Sequence, residues 1–554
     1  MACPRFQRLS ASLLEISPRK RGPVQITTRS FSSSTRRLAT LGLDALDKSK
    51  GYVLSQKLAS KFQTVVISPR NYFVFTPLLN SAAVGTLEFR NALEPVRNRR
   101  RPNVEYMQAW ADDINFSAKT VTVEESVVDQ RTGKGGILSE PDPYRNSSLT
   151  DMKMEKFGKR REGKRFEMSY DKLVVAVGCY SQTFDTKGVR ENAYFMKDVG
   201  DARRIRKRVL ECFEIASLPT TAESLRKQLL RFAIIGGGPT GMEFAAELSD
   251  LVHTDLCRTY PRLAPMVRIT VHDVAPKVLS MFDEKLARYA MTTFQRQGVA
   301  IKTNSAVSEL RRGLPDTNGD GSAEQVADAQ GCYTLTTAED GDVGVGMCVW
   351  STGNMMNPFV KRCLRKTQRL PSSSSAIIAP DSSPPTVETL PSREWMIESH
   401  PRSGAIVVDS HLRVRLHSQP TSTATTTTAP SPTASTPPPP ADTAALADVY
   451  ALGDNAAMAN ANLPATAQTA TQQAVWLAKT LNNGNGNGSG VADKPFTFRN
   501  NGIMAYVGNA RAIVDTPGKG TPDISGRSAW LVWRGVYLGM SVSWRNRVLI
   551  PTYW

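Results

Sequence analysis

Short apolar runs rich in β-branched residues recur along the chain, each closed by glycine, proline or polar residues: Thr64-Val65-Val66-Ile67, Leu173-Val174-Val175-Ala176-Val177, Phe232-Ala233-Ile234-Ile235 and Ile269-Thr270-Val271. Continuous rather than alternating apolar residues predict strands covered on both faces, as in parallel sheets. Helical periodicity follows these runs. The alternation predicts an α/β fold with more than one doubly wound sheet. Three stretches lack an apolar period. Residues 125–167 are charge-dense, residues 370–445 are rich in Ser, Thr and Pro, and residues 482–490 are Asn/Gly-rich. They predict two insertions unable to bury a core and one flexible linker.

The run at 232–235 leads into Gly236-Gly237-Gly238-Pro239-Thr240-Gly241-Met242-Glu243. Strand, GxGxxG and helix in that order predict a dinucleotide site that takes in Glu243. Gly236 permits the tight turn, Gly238 lets the backbone approach a pyrophosphate, and Gly241 lets helix and strand pack closely. The next strand ends in His272-Asp273. A carboxylate there accepts from a ribose 2′-hydroxyl and repels a 2′-phosphate, so Asp273 favours NADH over NADPH. From Gly241 to Asp273 is 32 residues, more than the usual ~20, which predicts a helix extension between them. Val349-Trp350-Ser351-Thr352-Gly353 closes this unit, and Val449-Tyr450-Ala451-Leu452-Gly453-Asp454 is a further strand ending in an acid that can accept from ribityl hydroxyls.

Charge changes the picture less than its total implies. Of a net +18 over 554 residues, residues 1–40 contribute eight Lys/Arg against Glu15, or +7, leaving +11 for the rest. That Arg- and Ser-rich, acid-poor start predicts a mitochondrial transit peptide over 1–37, and no aromatic-and-basic ladder outside the C-terminus points to nucleic acid. Seven cysteines with no CxxC spacing argue against a dithiol redox centre or a zinc ribbon. No uncharged apolar window is long enough for a membrane-spanning helix.

Several separate segments resemble the type II, non-proton-pumping NADH:ubiquinone oxidoreductases of mitochondria, a family of flavoproteins with two dinucleotide-binding domains. They are Ser68-Pro69-Arg70-Asn71-Tyr72 through Thr76-Pro77-Leu78, Tyr170 through Gly178, Leu463-Pro464 through Gln468 and Gln472, Gly502 through Gly508, and Trp544 through Pro551. The resemblance implies an α/β architecture of two Rossmann-like domains, the NADH domain inserted in the FAD domain, plus a C-terminal membrane-associating region. Its ranges are 38–229 and 446–490 for FAD, 230–360 for NADH, 361–445 for a low-complexity insertion and 491–554 for the C-terminal region. It implies FAD held by Thr76, Pro77, Leu78, Gly178, Gly453 and Asp454, NADH held by Gly236, Gly238, Gly241, Glu243, Asp273 and Gly353, and ubiquinone met by Gln468 and Gln472. It further implies peripheral contact with the mitochondrial inner membrane and allows a homodimer.

Two departures qualify it. Where the family has its first glycine loop, this chain reads Gly42-Leu43-Asp44-Ala45-Leu46-Asp47-Lys48-Ser49-Lys50-Gly51, placing carboxylates where a pyrophosphate should sit. The alternatives are therefore a flavin-deficient NADH-binding relic, a mis-spliced sequence, or another quinone reductase of the same fold. The chain also stops at Trp554, ahead of the family's terminal amphipathic segment. Trp530, Trp533, Trp544 and Trp554, interleaved with Tyr537, Tyr553, Arg534, Arg545 and Arg547, suit either a headgroup interface or a packed helix.

Overall fold

The computed structural model describes residues 36–41, 54, 57–58, 62–98, 102–126, 164–315, 331–364, 366–382, 393–418, 442–483, 494–518, 523–541 and 544–553. Residues 1–35 of the expected transit peptide, the altered loop 42–51, the polar stretch 127–163, the linker 484–490 and Trp554 lie outside them.

The chain first lays down β1 (Arg36–Leu41), β2 (Phe62–Ser68) and β3 (Val104–Asn115), then the antiparallel pair β4 (Thr120–Glu125) and β5 (Arg165–Ser169), and then β6 (Lys172–Val175). It crosses to a second sheet made of β7 (Tyr194–Phe195), β8 (Arg231–Ile235), β9 (Arg268–His272), β10 (Val299–Lys302) and β11 (Met347–Trp350). It returns to the first sheet with β12 (Gln368–Leu370), β13 (Arg393–Ile397), β14 (Arg413–Ser418) and β15 (Thr443–Ala451). The first sheet runs β12-β13-β14-β15-β6-β1-β2-β3-β4-β5, with β15, β6, β1, β2 and β3 mutually parallel. The second runs β7-β11-β8-β9-β10, all parallel. Apolar runs therefore sit centrally in both sheets, as continuous hydrophobicity demands.

Helix α1 (Leu79–Val84) and helix α2 (Val199–Ser217) pack beside the second sheet and α3 (Pro239–Leu251), with Phe213, Phe232 and Phe244 fully buried among them. Asp198 and Asp201 form a capping box that starts α2, leaving its first-turn amides satisfied. The 32-residue gap before Asp273 is filled as expected: α3 continues through a π-turn, Val252–Leu256, and short helical turns to Met266. After α4 (Ala467–Asn483), the C-terminal region is a three-stranded sheet, β16 (Ile503–Gly508), β17 (Arg511–Asp515) and β18 (Ile524–Gly526), with α5 (Arg527–Met540) and α6 (Trp544–Tyr553).

Three expected boundaries are corrected. Part of 361–445 is folded: β12, β13 and β14 extend the first sheet, and Trp395 is buried there with its indole N–H donating to Leu370 O at 3.1 Å, while the Ser/Thr/Pro tracts 383–392 and 419–441 lie outside the described residues. Serines, threonines and prolines dominate the composition of that stretch and hide short antiparallel strands. The second sheet also begins before residue 230, because Tyr194 and Phe195 pair with Val349 and Trp350. Two residues are too short for a pattern. Likewise Arg165–Ser169, which begins inside the expected insertion 125–167, is a strand paired to β4.

Candidate active site

Parallel sheets bind dinucleotides at the C-terminal edges of their strands, and the NADH-side edge is formed by Ile235, His272 and Trp350 in register. Gly236 leaves β8 at φ 115°, and a Cβ there would press on Thr352 at 3.0 Å. A Cβ on Gly241 would collide with the Gly236 carbonyl oxygen. Gly238, the N-cap of α3, is different: a Cβ there would meet nothing within 4 Å, and no side chain caps the helix. The space in front of the α3 amides is open.

Asp273 binds the glycine loop directly, accepting from Gly237 N on one oxygen and from Ala275 N at 2.7 Å on the other. His272 is buried against the Ser305 hydroxyl at 3.0 Å, and burial pushes its pKa down to about 4, so the ring is neutral. Gly353 turns at φ 73°, and a Cβ there would stand 2.8 Å from Gln182 and from the Phe184 ring.

On the first sheet, Leu41, Val175 and Ala451 share one edge. Gly178 and Gly453 leave it with φ 70° and 82°. Their loops are stapled together. Asn455, fully buried, accepts from Gly178 N at 3.2 Å and donates to Val175 O at 3.1 Å. The Cys179 thiol lies 3.5 Å from Asp454 Oδ2. Two left-handed turns, a carboxylate and the N-terminal half of α4 converge here, a donor and acceptor set that fits the ribityl–isoalloxazine part of FAD. Of the turn Thr76–Leu78, Thr76 and Pro77 are half-buried, whereas the Leu78 side chain is wholly in the core shared with α1, α2 and the second sheet. Any contact from Leu78 must be through its backbone.

The two edges are tied by their own outgoing chains. The segments that follow Gly178 and Gly353, Cys179–Ser181 and Asn354–Met356, pair antiparallel with Cys179 opposite Met356 and Ser181 opposite Asn354.

Gln468 and Gln472 share a face of α4, and both meet the backbone of residues 499–502. Gln472 is held at both ends of its amide, donating to Arg499 O at 2.7 Å and accepting from Arg499 N at 2.9 Å. Gln468 is held loosely, at 3.4 Å from Asn501 N and 3.5 Å from Gly502 O. Gln473, one residue on, faces the other way and accepts from Gly453 N at 2.8 Å.

Glu243 does not face the phosphate space. Its carboxylate accepts from Asn80 Nδ2 at 3.1 Å and from Tyr506 N at 3.1 Å, joining α3 to α1 and to β16. Glu247, one turn on, accepts from Ser81 at 2.5 Å and Thr86 at 3.1 Å. Burial pushes both carboxyls up to about 7, against the pull of these donors. Helical direction explains the difference: side chains two residues past Gly241 turn to the back of α3.

The pyridine nucleotide-disulphide oxidoreductase family model matches residues 51–381, and the NDH2 C-terminal domain model matches residues 500–554. A probable NADH dehydrogenase of Dictyostelium discoideum is 34% identical over 501 residues, covering 89% of this chain and 84% of that one. An external alternative NAD(P)H-ubiquinone oxidoreductase B3 of Arabidopsis thaliana is 32% identical with 89% and 85% covered. The chain belongs to the type II NADH:quinone oxidoreductase family. The fold of the Plasmodium falciparum NDH2, solved in complex with NADH, superimposes with a TM-score of 0.66 at 19% identity over 94% of this chain and 97% of that one. Within this family FAD is the prosthetic group and NADH the donor, so the flavin-deficient and relic readings are not favoured. Burial pushes the Cys212 and Cys348 thiols up to about 12, as expected of inert core thiols.

Asn455 and Gln473 escaped the sequence reading. Asn455 follows a recognisable Gly-Asp, and Gln473 adjoins Gln472, but only strand register shows which backbone each one holds.

Proposed function

We propose that this chain oxidises NADH and reduces a membrane quinone, using these residues. The observation that carries it is the pairing of Cys179–Ser181 with Asn354–Met356, which brings the Gly353 end of the NADH edge beside the Gly178 end of the flavin edge. Bound FAD supplies the two-electron relay between the two substrates. The open ground before Gly238 admits the pyrophosphate to the α3 amides. Asp273, already holding Gly237, offers its remaining lone pairs to a ribose and repels a 2′-phosphate. Gln468, with its long contacts, is the amide readiest to meet a quinone carbonyl, while Gln472 keeps the 499–502 strap in place. Gly178, Gly453 and Asp454 line the flavin edge.

The face of α5 and α6 supports a peripheral, mitochondrial inner-membrane location. Leu531, Met540, Trp544 and Val548 are 63%, 58%, 76% and 53% exposed, and the relatives include enzymes named as mitochondrial. No helix among the described residues is long and apolar enough to cross a membrane. Trp533 does not belong to that face: it is buried between Tyr506 and Tyr537. The same apolar face could seat a second copy of the chain, and mass measurement with and without vesicles separates the two.

The test is the visible spectrum of the purified chain. An oxidised-flavin spectrum that bleaches with NADH and recovers with ubiquinone supports the function; a protein that stays colourless with added FAD refutes it.

A further inference from the structure

Three glutamines in six residues of α4 divide their work. Two reach the 499–502 strap. The third, Gln473, is 3% exposed and reaches back to the flavin edge, where its Oε1 accepts from Gly453 N at 2.8 Å. Gly453 sits at φ 82°, and its turn continues into Asp454 and into Asn455, which is bonded to Gly178 and Val175. The loop is thus clamped from the strand side by Asn455 and from the helix side by Gln473.

The other end of the Gln473 amide has no such use. Among the described residues no group accepts from its Nε2. That nitrogen is not among the sealed side-chain atoms left without a partner, so it keeps an opening, and a ligand seated at the flavin edge can supply its acceptor. Within one planar amide of Gly453, the ligand that can supply it is the flavin.

We propose that Gln473 contacts the bound flavin through Nε2 while its Oε1 holds the Gly453–Asp454 turn, so that one side chain governs both flavin retention and flavin reduction potential. This rests on the FAD reading above. Reduction concentrates negative charge on the ring system, and an uncharged donor favours that state without adding a charge of its own. The helix that presents Gln468 to the quinone is thereby registered on the flavin by its own next turn.

The test uses the full-length holoprotein and two variants, with FAD dissociation and the flavin midpoint potential as readouts. Gln473→Leu loses both contacts: FAD should dissociate at least tenfold more readily, and the potential should fall. Gln473→Glu keeps an acceptor for Gly453 N, so FAD retention should stay within about threefold of wild type. At pH 9, however, it sets an anion where the donor was. The potential should then fall by a tenfold change in the ratio of reduced to oxidised flavin affinity, ~30 mV for a two-electron couple. Wild-type potentials in both variants would overturn the proposal even if FAD binding weakened, since a loop-holding role alone would not move them. A wild-type chain that retains no flavin would overturn the FAD reading first, and this inference with it.

Discussion

The backbone amide of Tyr506 donates to the buried carboxylate of Glu243 at 3.1 Å, so the helix that the NADH glycine loop opens is bonded directly to the C-terminal sheet. Two turns further along the same face, Asp250 accepts from the Tyr506 hydroxyl at 2.5 Å and from Asn509 N at 3.0 Å. The C-terminal sheet and the NADH glycine loop are therefore joined through one helix.

That junction makes stability depend on pH. Burial raises Glu243 and Glu247 to about 7 from the ordinary 4.5. Between those values the folded chain holds protons that the unfolded chain has lost, so these groups weaken the fold as pH rises from about 4.5 to about 7. Glu243→Gln keeps an acceptor for Tyr506 N and removes the ionisation. It should raise the unfolding midpoint at pH 8, by an amount on the order of 3 kcal/mol at most, and leave it unchanged below pH 4.5. Thermal unfolding at the two pH values reads this directly; an equal effect at both would refute it.

The glycines of the NADH loop should separate by function. Gly238→Ala has room for its Cβ and should fold normally, while Gly238→Trp should fold but lose NADH binding by filling the pyrophosphate space. Gly241→Ala forces helix from strand and should cost about 1–3 kcal/mol of stability. Titration of NADH against flavin bleaching, together with unfolding curves, checks both.

Much of this arrangement was legible in the chain. The four apolar runs are four sheet strands, and the glycine spacing placed the turn, the open approach and the close packing at Gly236, Gly238 and Gly241. What escaped has a common cause. Trp395 and its strands sit in a stretch whose serine- and proline-rich composition masks them, Glu243 lies within the motif but on its back face, and Trp533 reads like Trp544 until packing separates core from surface. Periodicity reports faces; it does not report which neighbour covers them.

For quinone, the two α4 glutamines should give different results. Gln468→Leu should raise the Michaelis constant for ubiquinone roughly tenfold, about 1–2 kcal/mol of one lost hydrogen bond. Gln472→Leu also releases Arg499, so it should in addition speed proteolysis within the 494–502 segment. Steady-state kinetics and limited proteolysis distinguish them.

Asp273→Asn should narrow the preference for NADH over NADPH, because the charge that repels a 2′-phosphate is gone. Its amide can still accept from Gly237 N, so NADH affinity should fall by no more than about tenfold. The ratio of kcat/KM for the two nucleotides is the readout, and an unchanged ratio would remove Asp273 from selectivity.

Trp544→Ser and Leu531→Ser should each weaken vesicle binding roughly tenfold, the value of one buried apolar side chain, with soluble-quinone turnover intact. Flotation with anionic vesicles measures it.

The paired segments 179–181 and 354–356 also bear on motion. Each leaves one nucleotide-binding edge, and a swing of the two sheets apart would have to unzip them from Met356 to Asn354. That ladder opposes a jaw-like separation of the two sheets. The scattering profile of the chain in solution should be the same with NADH as without.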